Sequence, residues 1–329
     1  MSATRNLTHR QMLRRAAGRA VLAPSVHNTQ PWRLALRDDS LELRADRDRG
    51  LPALDPTGRQ LVISCGCALF NARVALAATG CESRTTLLPD PAQPDLLARV
   101  EIRPRWGVRG SPLAFLDEAI ETRRTNRREF TTETLPAELL ECLVRAAAAE
   151  RSELVLIRAA DQRRTVAELS RRALAIENAD AAYRAELDAW MTDDPTRDDG
   201  VQAMSVPRHD ADSPDELPLR EFDSSGVGWL PALTHSTSEQ CLLLVGNVAD
   251  DVRGWLSTGQ ALERVLLEIA RAGYAASPFT QVVEVPSLRA ELRAGLGLDM
   301  WPHVLLRVGH APPTPPTRRR PLSAVLLEI

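Results

Sequence analysis

Apolar side chains recur at helical spacing at Met12, Leu13, Ala16, Ala17, Ala20 and Val21, in a run that begins at Thr8 and stops at Pro24. That spacing predicts an amphipathic helix over 8–23 with a threonine cap. RLALR (33–37) and LELRA (41–45), on either side of the turn DDS, read as two strands. Residues 61–79 are apolar on nearly every side and predict a buried helix. RTTLL (84–88) and ARVEI (98–102) follow as strands, and the proline-bearing stretch 103–113 reads as a linker. The pattern then restarts. LPAELLECLVRAAAA (135–149) predicts a second amphipathic helix with Pro136 in its first turn, and ELVLI (153–157) a strand. Residues 161–191 are helical through Leu169, Ala173, Ile176 and Leu187. The stretch 193–235, rich in Asp, Pro, Ser and Gly, is too long for an ordinary connection and reads as a lid insertion. A helix at 259–272 and strands TQVVEV (280–285) and HVLLRVG (303–309) complete the pattern. The final apolar segment reads as an addition to a sheet or a docking segment.

The restart has the form of a repeat. GCALFNARVALAATG (66–80) and GQALERVLLEIARAG (259–273) share Gly-x-Ala-Leu, then ten residues, then Gly. Each is a buried-type helix leading to two strands, and each half opens with an amphipathic helix entering a strand. The order of elements favours divergent duplication over chance likeness of Ala-Leu-rich helices. The expected organisation is a first half at 1–110 and a second at 111–329 that carries the lid.

Composition narrows the chemistry. The 329 residues are 44% hydrophobic with a net charge of −3, which supports a sizeable core and gives no global signal for nucleic acid or a membrane surface. All 41 basic side chains are Arg, so Schiff-base and P-loop lysine chemistry are excluded. The longest apolar run, LVISCGCALF (61–70), falls short of a spanning helix, and MSATRNLTHRQMLRR lacks a signal-peptide core. A cytoplasmic protein with its five Cys reduced is expected.

No dinucleotide-binding glycine fingerprint, Walker A loop, H-E-x-x-H or G-x-S-x-G occurs. Cys65-x-Cys67 lies within a buried helix and reads as structural. His27 alone is weak evidence of catalysis. Two segments carry more. One is APSVHNTQPW (23–32), dense in hydrogen-bonding groups between a helix and a strand. The other is ETRRTNRREFTTETLP (121–136), in which Arg123, Thr125 and Arg127 alternate. In an extended chain they would share one side, as a phosphate clamp would require, although a solvated charge run fits equally well.

Together the two segments identify a family. Pro24-Ser25-Val26-His27-Asn28-Thr29-Gln30-Pro31-Trp32 resembles the Pro-Ser-Ser-x-Asn-x-Gln-Pro-Trp motif of nitroreductase-like flavoproteins, and Arg123-Arg124-Thr125-Asn126-Arg127 resembles their Arg-x-Ser-x-Arg motif. Gly273 to Ser277 falls where that family has a glycine turn beside the flavin, and Arg319 within Arg-Arg-Pro-Leu resembles its C-terminal phosphate ligand. The resemblance spans 8–329 apart from the insertion. The first half lacks the arginine motif and the second lacks the Gln-Pro-Trp loop, so the resemblance is to the single-chain, tandem Acg-like branch, with one complete flavin site per chain.

The resemblance implies an α+β fold, with a nitroreductase-like unit duplicated as a pseudo-dimer of two antiparallel-type sheets packed with helices. It implies FMN, with Arg123, Thr125, Arg127 and Arg319 on the phosphate side. Pro24, Ser25 and Asn28 would lie on the ring side, braced by Gln30 and Trp32, and Ala276 and Ser277 near the reactive edge. Arg128 is an alternative to Arg127, and Arg318 and Arg320 are alternatives to Arg319. The implied activity is hydride transfer from NAD(P)H or another donor to an electron-poor small molecule such as a nitro compound or quinone, by a monomer. The alternatives are a protein that sequesters FMN beneath the lid, and a degenerate flavin site.

Overall fold

The computed structural model describes residues 7–103, 111–128, 130–131, 133–202, 205–206, 220 and 240–328. The chain opens with α1 (His9–Ala20), whose end is closed by a reciprocal capping box between Thr8 and Gln11. β1 (Trp32–Leu36), β2 (Ser40–Ala45), α2 (Arg59–Ala78), β3 (Glu82–Leu87) and β4 (Leu96–Arg103) follow, then α3 (Asp117–Thr122) and α4 (Ala137–Ala149). β5 (Glu153–Ile157), α5 (Ala160–Ala179), α6 (Ala181–Trp190), β6 (Met191–Thr192), β7 (Val201–Gln202), β8 (Cys241–Asn247) and α7 (Val252–Arg271) come next. β9 (Ala275–Pro278), α8 (Gln281–Glu284), α9 (Pro286–Gly295), β10 (Trp301–Gly309), α10 (Leu322–Val325) and β11 (Leu326–Glu328) complete it.

The strands form a five-stranded sheet, β11-β1-β2-β4-β3, and a four-stranded sheet, β5-β8-β10-β9, with β6 and β7 paired separately. Every pairing in the two larger sheets is antiparallel except β1 with β11. The fold is therefore α+β, as the resemblance implies. The carboxyl-terminal segment does add to a sheet, and it joins the sheet built from the other end of the chain, with Leu34 opposite Leu326. Residues 310–320 thus return across the molecule as a strap.

One continuous apolar core joins α1, α2, α4 and α7 to both sheets. At its centre α2 packs on α7. The leading glycines of the two repeats meet there: a Cβ on Gly66 would lie 2.8 Å from the Cα of Gly259, and one on Gly259 would lie 2.1 Å from the Ile63 carbonyl oxygen. Both positions require glycine because backbone approaches backbone. α2 is long and apolar enough to cross a membrane, which corrects the expectation that no segment reaches that length; 89% of its most apolar stretch is buried as a core helix.

Three other assignments change. TQVVEV is not a strand; it supplies helix α8, with Val282 and Val283 fully buried. A short apolar run does not distinguish strand from buried helix, and Pro286, which opens α9, ends it. The 161–191 helix breaks at Asp180, whose carboxylate accepts from the Ala182 and Tyr183 amides and starts α6. Central strand β8, CLLLVGN, carries no alternating signal because it is apolar on both faces and follows the irregular stretch. Most of the expected 193–235 lid lies outside the described residues; of it, 193–202, 205–206 and 220 are described.

Candidate functional site

The connection from α1 to β1 is strained and tightly held. Ser25 is extended and leads into a single 3-10 turn at Val26–Asn28. His27, Asn28 and Gln30 have φ of 48°, 54° and 50°. Each left-handed non-glycine residue costs about 1 kcal/mol, so such a cluster persists only where its surroundings fix it. Ser25 Oγ accepts from the Gln30 amide at 2.9 Å, and Trp32 anchors the exit in the core. The two prolines keep neighbouring residues out of helix.

Asn28 and Gln30 do not line the adjoining cavity. Asn28 Nδ2 donates to the Gly200 and Arg318 carbonyls, both at 3.1 Å. Gln30 Nε2 donates to the Asp198 carbonyl at 2.9 Å, and its Oε1 accepts from the Arg320 amide at 2.8 Å. These side chains buckle the start of the insertion and the strap to the motif. Arg319 lies between the two pinned strap residues, so the motif sets its direction.

The cavity lies beside the strained turn. Pro24, Ser25, Thr125, Arg127 and Ser277 line it, with Gln60 and Cys67 from α2 and Leu262 from α7. Thr125 is placed by a bridge to Ala276, whose carbonyl accepts from the Asn126 amide at 2.9 Å. Ala276 itself borders a separate groove on the far side of β9, with Arg123 and Asn126. Burial, then the charge of Arg220, pulls the Arg127 guanidinium down to about 10, which leaves it cationic at neutral pH.

A cationic cluster adjoins the cavity at Cys67. Arg123 is buried, and its Nε lies 3.6 Å from Glu263 Oε1, beyond hydrogen-bond length. Arg319 faces the same cluster, its guanidinium lowered to about 9 by burial and then by Arg123, and still charged at neutral pH. Arg123 Nε and Nη1, Arg319 Nε, Ser277 Oγ and Gln60 Nε2 are buried without a hydrogen-bond partner among the described residues. Buried donors are nearly always satisfied, so this grouping of them suits a polar, anionic ligand. Thus Arg123, Thr125 and Arg127 do not share one side: Thr125 and Arg127 face the cavity and Arg123 the adjoining cluster.

Arg220, from the insertion, is buried against the cavity. It hydrogen-bonds His27 Nε2 and forms an ion pair with Glu284, and its guanidinium lies 5.8 Å from the Tyr183 ring. Burial, with the charges of Arg220 and Arg127, holds the His27 imidazole well below its usual pKa, so it stays neutral and accepts through Nε2. Neither Arg220 nor Glu284 carries a sequence signal. Glu263 carries one: it is the charged residue on a helix face whose other buried residues are uncharged.

No protein-family model matches the chain. The chain is 34% identical over 312 residues to "Putative NAD(P)H nitroreductase Rv3131" of Mycobacterium tuberculosis H37Rv, covering 93% of this chain and 88% of that one. It is 31% identical over 320 residues to "Putative NAD(P)H nitroreductase acg" of the same strain, covering 95% of each. A nitroreductase with bound FMN from Desulfitobacterium hafniense DCB-2 aligns over 64% of this chain and 95% of that one, with 13% identity and a TM-score of 0.40.

Proposed function

The chain belongs to the nitroreductase family represented by those mycobacterial proteins, and from that membership we propose that it is an FMN-dependent oxidoreductase with one flavin site formed between the two halves of a duplicated chain. The observation that carries the reading is the set of unpartnered donors on Arg123 and Arg319 next to the motif-lined cavity. An elongated cofactor with a flat polar ring and a phosphate fits that pair of environments. The two arginines, with Thr125, would hold the phosphate. Ser25, Gln60, Arg127 and Ser277 would meet the ring's polar edge, and Leu262 and Phe279 give it apolar contact. Bound FMN supplies hydride transfer between NAD(P)H and an electron-poor nitro compound or quinone. The residues bind, orient and exclude water; no side chain is needed as a general base. The five cysteines are all free, which supports a reducing, cytoplasmic setting. The joined halves would make the monomer a pseudo-dimer.

Purified protein should show the flavin absorption near 450 nm and release a compound of FMN mass. Anaerobic NADPH or NADH should bleach it; colourless protein that does not bind added FMN would overturn the reading. A second reading, FMN sequestration, is favoured by Arg220, which brings the insertion against the cavity through His27 and Glu284. Arg220→Ala separates the two: higher nicotinamide-dependent activity indicates occlusion, and lower activity indicates that the insertion helps build the substrate site.

A further inference from the structure

The only anionic side chain at the junction of Arg123 and Arg319, among the described residues, is Glu263. It projects from α7, is completely buried, and has no short hydrogen bond from either guanidinium. The elements packed around it bring Arg123 and Arg124 from the segment after α3, Arg319 from the strap, and Asn71 and Cys67 from α2. Arg124 and Arg319 are part-buried, with Arg319 Nε itself enclosed, and Arg123, Asn71 and Cys67 are buried. With the part-buried Arg124 screened by solvent, Arg123, Arg319 and one carboxylate leave one net positive charge. A phosphate dianion added beside an ionised Glu263 would turn that into one net negative charge in a dry pocket. A proton on Glu263 restores neutrality.

We propose that Glu263 is a proton-accepting counterion of the phosphate site: ionised, it balances Arg123 and Arg319, and it takes one proton from solvent when the phosphate of the cofactor enters. The proposal rests on the FMN reading of the site. It makes Glu263 a positioning residue for the arginines and couples cofactor retention to pH. Burial already raises the Glu263 carboxyl to about 7, against the opposing pull of Arg123, Asn71 and Arg319. An anion a few ångströms away raises it further. The sign follows from linkage: a group whose pKa is higher in the bound form favours binding below its free-state pKa, and that advantage fades as pH rises through it.

FMN and riboflavin are titrated onto the flavin-stripped full chain and its Glu263→Gln variant from about pH 7 to about pH 8.5, above the phosphate's second pKa of about 6. Wild-type affinity for FMN should fall with rising pH, by up to about tenfold per unit. Glu263→Gln should be nearly flat and bind FMN more tightly than wild type at the alkaline end. Riboflavin, which lacks the phosphate, should be flat in both. Calorimetry of the wild type in two buffers of different ionisation heat reads the same event directly, as uptake of a large fraction of a proton per FMN near pH 7.5, and does not depend on the variant folding. Parallel FMN profiles in the two proteins, or no proton uptake, would overturn the role of Glu263 and leave the FMN site standing. No FMN binding at any pH would overturn both.

Discussion

The two helix-to-strand connections, α1 to β1 and α4 to β5, begin from similar local patterns and end in different states. The second is three residues long, 150–152, places one non-glycine residue, Arg151, at positive φ, and bonds to the core elements α2, α7 and β8. Glu150 pairs with Arg73 at 2.5 Å and Arg264 at 2.8 Å, and Asn247 Nδ2 donates to the Arg151 carbonyl at 2.7 Å. The first runs from 21 to 31, places three non-glycine residues at positive φ, and spends its amides on the insertion and the strap. A connection that only joins two elements is short and bonds to the core elements packed beside it. One that serves a site is longer, holds more residues at positive φ and bonds to the insertion and the strap that border the site.

The largest effect should come from the crossing that both connections depend on. Gly259→Ala forces a methyl against the Ile63 carbonyl and Gly66, and should lower unfolding free energy by about 3 kcal/mol or more in urea denaturation. A cost under about 1 kcal/mol would show that the helices can part freely. Next comes the structural connection. Glu150→Ala takes the carboxylate from Arg264 and leaves Arg73 only its bond to Gln260, both guanidiniums being partly exposed, so the loss should be about 2 kcal/mol, with FMN affinity unchanged within about twofold. A matching loss of FMN affinity would erase the contrast between the two connections.

The smallest effect should distinguish support from contact in the first connection. Gln30→Ala removes the acceptor of the Arg320 amide and loosens Arg319, so FMN should bind about tenfold more weakly, while riboflavin binding barely changes. Equal weakening for both flavins would mean that Gln30 acts on the ring rather than through the strap.

Much of this was legible in the chain. Helical spacing gave α1, α2, α4 and the body of α7, and the repeated Gly-x-Ala-Leu pointed to the two residues that meet at their crossing. The motif segments pointed to the residues around the cavity through their resemblance to the flavoprotein motifs, since spacing alone left a solvated charge run equally good. What was not legible depends on distant chain. Asn28 looks like a ring ligand in sequence and Gln30 like a brace of its own loop, yet their partners are 168 to 290 residues away. Arg220 sits in a stretch with no periodicity. β8 and α8 are short apolar runs that fit strand or buried helix equally, until neighbours decide.

The most direct measurement of the central claim is a flavin titration of the stripped full chain, followed by fluorescence, for wild type and Arg319→Ala. One FMN should bind per chain. Arg319→Ala should weaken FMN by more than about tenfold and leave riboflavin nearly unchanged, because a buried charge-assisted contact to the phosphate is lost. Two flavins per chain, or equal loss for FMN and riboflavin, would contradict a single site whose phosphate end is held by Arg123 and Arg319.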